Sequence, residues 1–335
     1  MVMSMRTSRL KRIFSTKILT LLILLAVLIA FFGITVSVTN RGSFFSLINI
    51  RNILNTMVIV AFLTIGASCL IISGNIDLSA GFVGTLCGMV LAFFLDRLGI
   101  PWPLALAFSI ILGMVFGFIN AFLVNELGLQ AFIVTLSTGA IAEGLTYLPG
   151  NSSYIKFENN VISWIGNGRI ANVIPVSIIL AFAMFLVYGI IIGKTKFGRN
   201  VYLIGGNPNA ARLAGINAKR ISYILFMNAS GMAAIAGCVL AGRMKSGTLN
   251  GIQLNNFAGV TAAILGGVSF GGGSGNMGGA FIGLLILNVF NNGALLLGMS
   301  PYWQLVASGG LLLLALISDY IAHKNTQRKL NKAIA

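Results

Sequence analysis

Acidic residues are scarce. The 335-residue chain holds 6 Asp and Glu against 22 Lys and Arg, and its one histidine is His323. A single histidine cannot form a metal cluster or a catalytic dyad with a second histidine, and no pair of carboxylates stands close in sequence for acid–base work. The three cysteines, Cys69, Cys87 and Cys238, sit inside apolar runs without metal or redox spacing, and read as small apolar fillers. Charged residues of all kinds make up 8% of the chain and hydrophobic ones 57%, with a mean hydropathy of +0.95. That balance excludes an ordinary soluble domain. No metal or cofactor is expected.

What the chain does have is long apolar runs. Ile18–Thr39, Ile53–Ser73, Leu104–Val124, Gly128–Leu148, Val173–Ile192, Ile221–Ala241 and Gly279–Leu297 are each long enough to cross a bilayer. Ala80–Leu95, Tyr302–Ser318 and the short run Phe257–Phe270 bring the expected number of spans to about ten. Ile18–Thr39 is too long for the core of a signal peptide and reads as a retained span. Phe44–Leu54 carries apolar residues at helical spacing and reads as an interfacial helix. The expected fold is all-α and membrane-integral: a basic tail (1–17), one transmembrane domain (18–318) and a second basic tail (319–335).

The net charge of +16 is clustered. Fifteen basic residues lie in Arg6–Lys17, Lys194–Arg220 and Lys324–Lys332. This is the positive-inside pattern, which puts both termini and the loop 193–220 in the cytoplasm and makes anionic lipid, not nucleic acid, the expected neighbour. Within that loop, Asn207 to Gly215 reads as a short helix. Asn207 caps it, Pro208 fits its first turn, and Gly215 ends it in a left-handed conformation. A helix of two turns is not stable alone in water, so it must dock on this chain or on a partner.

Asn209-Ala210-Ala211-x-x-x-Gly215 resembles the EAA-x-x-x-G loop of ABC importer permeases. The wider string from Gly205 to Ile216, with Asn207, Pro208, Ala210, Ala211 and Gly215, resembles the ribose and galactose (monosaccharide) permeases more closely. Asn209 stands where the general motif has Glu. Three further stretches resemble the same family in order. Ser73-Gly74-Asn75-Ile76-Asp77-Leu78-Ser79 is similar to its S-G-G-I-D-L-S segment, with Asn75 for a Gly. Ala131–Leu136 is similar to another, although Glu143 nearby replaces a basic residue. Ala262 to Gly273 is similar to its A-x-x-x-G-G-x-S-x-x-G-G pattern.

Polar residues inside the apolar pattern are the candidates for a solute path. The segment 73–79 breaks a helix, and Asp77 or Ser79 either caps the next run or exposes polar groups to permeation. The glycines after 257 mark a second break, near 257–277. Asn288 and Asn292 share a helical face and serve either packing hydrogen bonds or a sugar path. Asn75, Phe132 and Thr135 complete the candidate path.

The resemblance implies a permease subunit without catalysis of its own, in a bacterial inner membrane. It implies an ABC ATP-binding subunit to which Asn207, Pro208, Asn209, Ala210, Ala211, Arg212 and Gly215 couple. It also implies a substrate-binding protein that delivers a monosaccharide, and a second permease copy or sister chain. The alternative is an ion- or proton-coupled carrier, for which Asp77 and Glu143 are the available intramembrane acids. A nucleotide site of its own is excluded, because Gly193-Lys194-Thr195 has Tyr188 where a P-loop needs its first glycine.

Overall fold

A computed structural model describes residues 16–40, 42–170 and 174–334, and among these nearly all the regular secondary structure is α-helix. Residues 1–15 of the basic N-terminal tail, and Val173 at the start of one expected span, lie outside the described residues. Six helices contain a stretch long and apolar enough to cross a membrane. They are α1 (Thr16–Val38), α2 (Leu47–Ile72), α4 (Trp102–Asn125), α7 (Val176–Lys194), α10 (Ala218–Met244) and α12 (Met277–Leu296). Shorter apolar helices are α3 (Ala80–Asp96), α5 (Ala131–Thr146), α11 (Asn256–Leu265) and the stretch Leu305–Ile317 of α13 (Pro301–Ile334). Three small helices lie between: α6 (Asn160–Asn167), α8 (Lys196–Gly206) and α9 (Pro208–Leu213).

Two of the long helices are buried by the rest. In α2 and α10, 83% and 72% of the apolar window is buried, against 11% in α1, so α2 and α10 form the centre and α1 the periphery. Burial of α10 is possible because its surface is small: Ala229, Ser230, Gly231, Ala233, Ala234, Ala236 and Gly237 let neighbouring backbones approach. It packs on α4, α3 and α2, and at its far end on α6. A Cβ placed on Gly237 would lie 1.8 Å from the Gly84 carbonyl oxygen of α3, and one on Gly117 of α4 would lie 2.4 Å from the Phe226 oxygen. Only glycine fits these contacts. The outer helices α4, α5 and α7 instead expose Phe108, Ile111, Ile133, Ile141, Leu186 and Ile190, as a lipid-facing shell requires.

Where the chain leaves the helices, short pieces tie the loops together. Ile155–Lys156 (β1) pairs antiparallel with Ser246–Gly247 (β4), and Arg169–Ile170 (β2) with Ile174–Pro175 (β3). Phe44–Leu54 does not form a separate interfacial helix. Ser46 caps α2 at its start by accepting the Asn49 N–H, the Asn49 amide donates to Phe44 O, and the helix then runs unbroken to Ile72. The apolar spacing belongs to the first turns of a span. The expected tail from Asp319 is a continuation of α13 as far as Ile334.

Gly237→Val is expected to destabilise the protein by about 1–3 kcal/mol or more, since overpacking forces backbones apart. Gly193→Ala, whose added Cβ meets nothing within 4 Å, is expected to leave stability undiminished. Thermal unfolding of the two purified variants in one detergent checks the pair; equal midpoints would contradict the α3–α10 contact.

Candidate functional site

The segment joining α2 to α3 turns at Gly74, which has φ of +86°. Ser73 and Gly74 donate their N–H groups to Leu70 and Ile71 O, closing the end of α2. Three residues later Asp77 is buried, and its carboxylate is fully engaged. Oδ1 accepts from the Ser79 N–H at 2.8 Å and the Ser79 hydroxyl at 2.5 Å; Oδ2 accepts from the Ser230 hydroxyl of α10 at 3.2 Å.

The network continues outward. Ser79 Oγ accepts from Asn120 Nδ2 of α4 at 3.1 Å, and Asn120 Oδ1 accepts from Thr138 Oγ1 of α5 at 2.7 Å. Thr138 also reaches Thr135 O at 3.3 Å. On the other side stands Asn256, the first residue of α11. Its Oδ1 accepts the Gly81 N–H at 2.9 Å and its Nδ2 donates to Leu78 O at 2.6 Å. Asn256 therefore takes a free N–H in the first turn of α3, the position expected for Asp77 or Ser79. Asp77 instead holds the turn itself, through the Ser79 N–H. The starts of two short helices, α3 and α11, meet at this point. A cavity of about 10 Å³, lined in part by Leu63, Asp77, Ala229 and Asn256, is the size of about one water molecule. A sugar does not fit there in this conformation.

Of the residues expected along a solute path, Asp77 and Ser79 lie in this network and Thr135 touches it through its carbonyl. Asn75 is half-buried beside it, with its N–H on Leu70 O. Phe132 is 53% exposed on the outside of α5. Asn288 is buried and donates to Leu284 O within its own helix, while Asn292 Oδ1 is buried without a hydrogen-bond partner among the described residues. Asn120, Thr138, Ser230 and Asn256 escaped the sequence reading. The one available signal was a lone polar residue inside an apolar run, and Asn120 shows it.

The loop between α7 and α10 forms its own unit. Asn207 Oδ1 accepts the Ala210 N–H at 3.0 Å, Pro208 stands in the first turn, and Gly215 follows with φ of +72°. Ala211 is turned inward and buried, whereas Arg212 is exposed and Leu213 is 89% exposed. Past the loop, Lys219 pairs with Glu126 at 2.7 Å and Asn125 donates to Ser222 at 3.0 Å, which clips the start of α10 to the end of α4.

Residues 49–316, which hold both the polar network and this loop, match the family described as "Branched-chain amino acid transport system / permease component". The chain belongs to this permease family. It is a multi-pass membrane protein. The permease is 34% identical over 288 residues to a ribose import permease protein of Bacillus subtilis, covering 85% of this chain and 88% of that one. It is 31% identical over 324 residues to a galactose/methyl galactoside import permease protein of Haemophilus influenzae, covering 90% and 93%. A fructose import permease protein of Rhizobium meliloti is 31% identical over 306 residues, covering 89% and 84%. No solved structure matches the permease.

Asp77→Ala strands the Ser79 N–H and two hydroxyls and is expected to cost about 2–4 kcal/mol. Asp77→Asn keeps one acceptor oxygen and is expected to cost clearly less. Thermal stability of the two variants ranks them. Asn and Ala variants that fold equally well yet both lose transport would show that the charge itself matters.

Proposed function

We propose that the chain is the membrane-spanning permease subunit of a bacterial ABC importer that moves a monosaccharide. The observation that carries this reading is the likeness to sugar import permeases, which extends over 84–93% of their length and includes the loop and both helix breaks. The family's own description mentions branched-chain amino acids. Relatives matched nearly end to end are the better guide to solute class. The side chains gathered around the first break are Ser, Thr and Asn with the carboxyl of Asp77, and no Lys or Arg is among their described partners, which also suits a neutral polyhydroxylated solute.

In this reading the four shorter apolar helices join the six long ones as ten crossings of the inner membrane, with both termini in the cytoplasm. ATP is hydrolysed by a partner subunit, a binding protein delivers the sugar, and a second copy or sister permease completes the path. The loop helix α9 is the ATPase contact. Its inward Ala211 seats it on this chain's own core. Its outward residues, Asn209, Arg212 and Leu213, are then the ones offered to the ATPase. Leu213, with its side chain almost fully exposed, is free to enter such a contact.

Uptake into proteoliposomes containing the permease and its partner subunits is expected to require ATP and to survive a protonophore. Collapse of uptake with a protonophore, at constant ATP, would favour the proton-coupled carrier instead. Leu213→Glu is expected to leave the permease folded but to weaken co-purification with the ATPase roughly tenfold or more, as for loss of a buried apolar anchor. Ala211→Arg is expected to unseat α9 and lower the stability of the permease itself, a result that thermal unfolding reads separately. Undiminished ATPase binding by the Leu213 variant would mean that α9 docks elsewhere.

A further inference from the structure

The loop that precedes α9 has an attachment of its own. α8 ends in Gly205 and Gly206, and Gly205 lies against the terminal carbonyl of α2: a Cβ built on it would stand 1.9 Å from Ile72 O and 2.6 Å from Gly273 N. These two atoms bond to each other, with the Gly273 N–H donating to Ile72 O at 2.8 Å. Gly272 lies close on the other side, where an added Cβ would meet Gly205 O at 2.9 Å and Gly74 Cα at 3.0 Å. One turn back on α8, the Tyr202 hydroxyl donates to Gly275 O at 2.8 Å. Burial holds the Tyr202 phenol above its ordinary pKa, so it remains a donor.

Three separate pieces of chain therefore meet backbone to backbone: the break after α2, the glycine stretch between α11 and α12, and the end of α8. Gly74, Gly272 and Gly273 have φ of +86°, +79° and +69°, so the two breaks are held in shapes that side chains resist. The free carbonyl at the end of α2 is satisfied from the second break and not from its own helix.

We propose that Tyr202 and Gly205 are the positioning residues that join the cytoplasmic loop to both helix breaks, so that movement of the loop displaces the segments 73–79 and 266–276 together. This rests on the importer reading and adds to it which residues pass the movement on. Displacing α8 must either break the Tyr202–Gly275 bond and open the Ile72–Gly273 contact or carry both breaks along. Close packing favours the second, because packed backbones move as units. Gly206 provides a built-in comparison. It is adjacent in sequence, yet its added Cβ meets only Gly273 Cα, at an ordinary 3.8 Å.

The test uses the full permease with its ATP-binding and binding-protein subunits in proteoliposomes, and the permease alone in nanodiscs. Tyr202→Phe removes one hydroxyl, Gly205→Ala drives a methyl group into the Ile72–Gly273 bond, and Gly206→Ala is the control. Losing one such bond shifts an equilibrium by about fivefold. Tyr202→Phe and Gly205→Ala are expected to raise amide exchange across 271–276 by about that factor and to lower sugar taken up per ATP hydrolysed, while still assembling with the ATPase. Gly206→Ala is expected to match wild type in both. Unchanged exchange in Tyr202→Phe, raised exchange with unchanged uptake per ATP, or equal losses in the Gly205 and Gly206 variants would each overturn the inference. Wild-type permease that takes up no sugar with ATP would overturn the importer reading and the inference with it; transport that both variants preserve would overturn the inference alone.

Discussion

The structure depends on how closely backbones can approach α10. In a bilayer, lipid tails are as apolar as Leu, so burying one apolar helix against others gains little from the hydrophobic effect. What remains is van der Waals contact and hydrogen bonding, and both reward small residues. The run from Asn228 to Gly242 supplies them, and glycines of α2, α3, α4 and α6 meet it: a Cβ on Gly66, Gly84, Gly113 or Gly166 would lie within 3 Å of α10 atoms. Longer side chains on α10 would push these helices out, and the polar network, which needs bonds of about 3 Å between five elements, would not close.

That network is the second consequence of close packing. Ser230 can reach Asp77 only because α10 lies against the break, and Asn120 can reach Ser79 only because Gly117, one turn earlier on α4, sits on the α10 backbone. A carboxyl group inside a membrane protein is costly unless it is hydrogen-bonded. Asp77 is accommodated by three donors from two segments, and the network around it extends to α4, α5 and α11. The breaks that leave α3 and α11 short are thus held by polar contacts on one side and by glycine contacts with α8 on the other. The interior between these two sets of contacts links the polar network to α8.

Local features were legible in the residues. The cap at Asn207, the proline in the next position and the positive φ at Gly215 follow from neighbours within a few positions, and so do the turn at Gly74 and the irregular glycine stretch after Leu265. Features that depend on distant partners were not legible. Asn256 binds Gly81 and Leu78 from 175 and 178 residues away, and nothing near Asn256 in sequence announces it. Ala211 reads as a small residue on a loop helix, but only the fold shows which way it faces. The run Phe44–Leu54 misled because apolar spacing is the same for an interfacial helix and for the opening turns of a buried span. Span number is likewise not set by apolar spacing alone: six helices pass on length and hydropathy, whereas α3, α5, α11 and the stretch Leu305–Ile317 are shorter.

The meeting of the starts of α3 and α11 inside the bundle is the centre of this account, and cross-linking tests it most directly. A Cβ on Gly81 would lie 3.0 Å from Asn256 Cβ, about half an ångström inside the range a disulfide spans, so a small parting of the two helix starts brings the pair into bridging distance. In a background lacking Cys69, Cys87 and Cys238, Gly81→Cys combined with Asn256→Cys is predicted to form an intramolecular bridge under mild oxidation, seen as a mass loss of two hydrogens and protection from thiol labelling. Two thiols that stay separately reactive in the folded protein would contradict the account, because α3 and α11 would then not start at the same point.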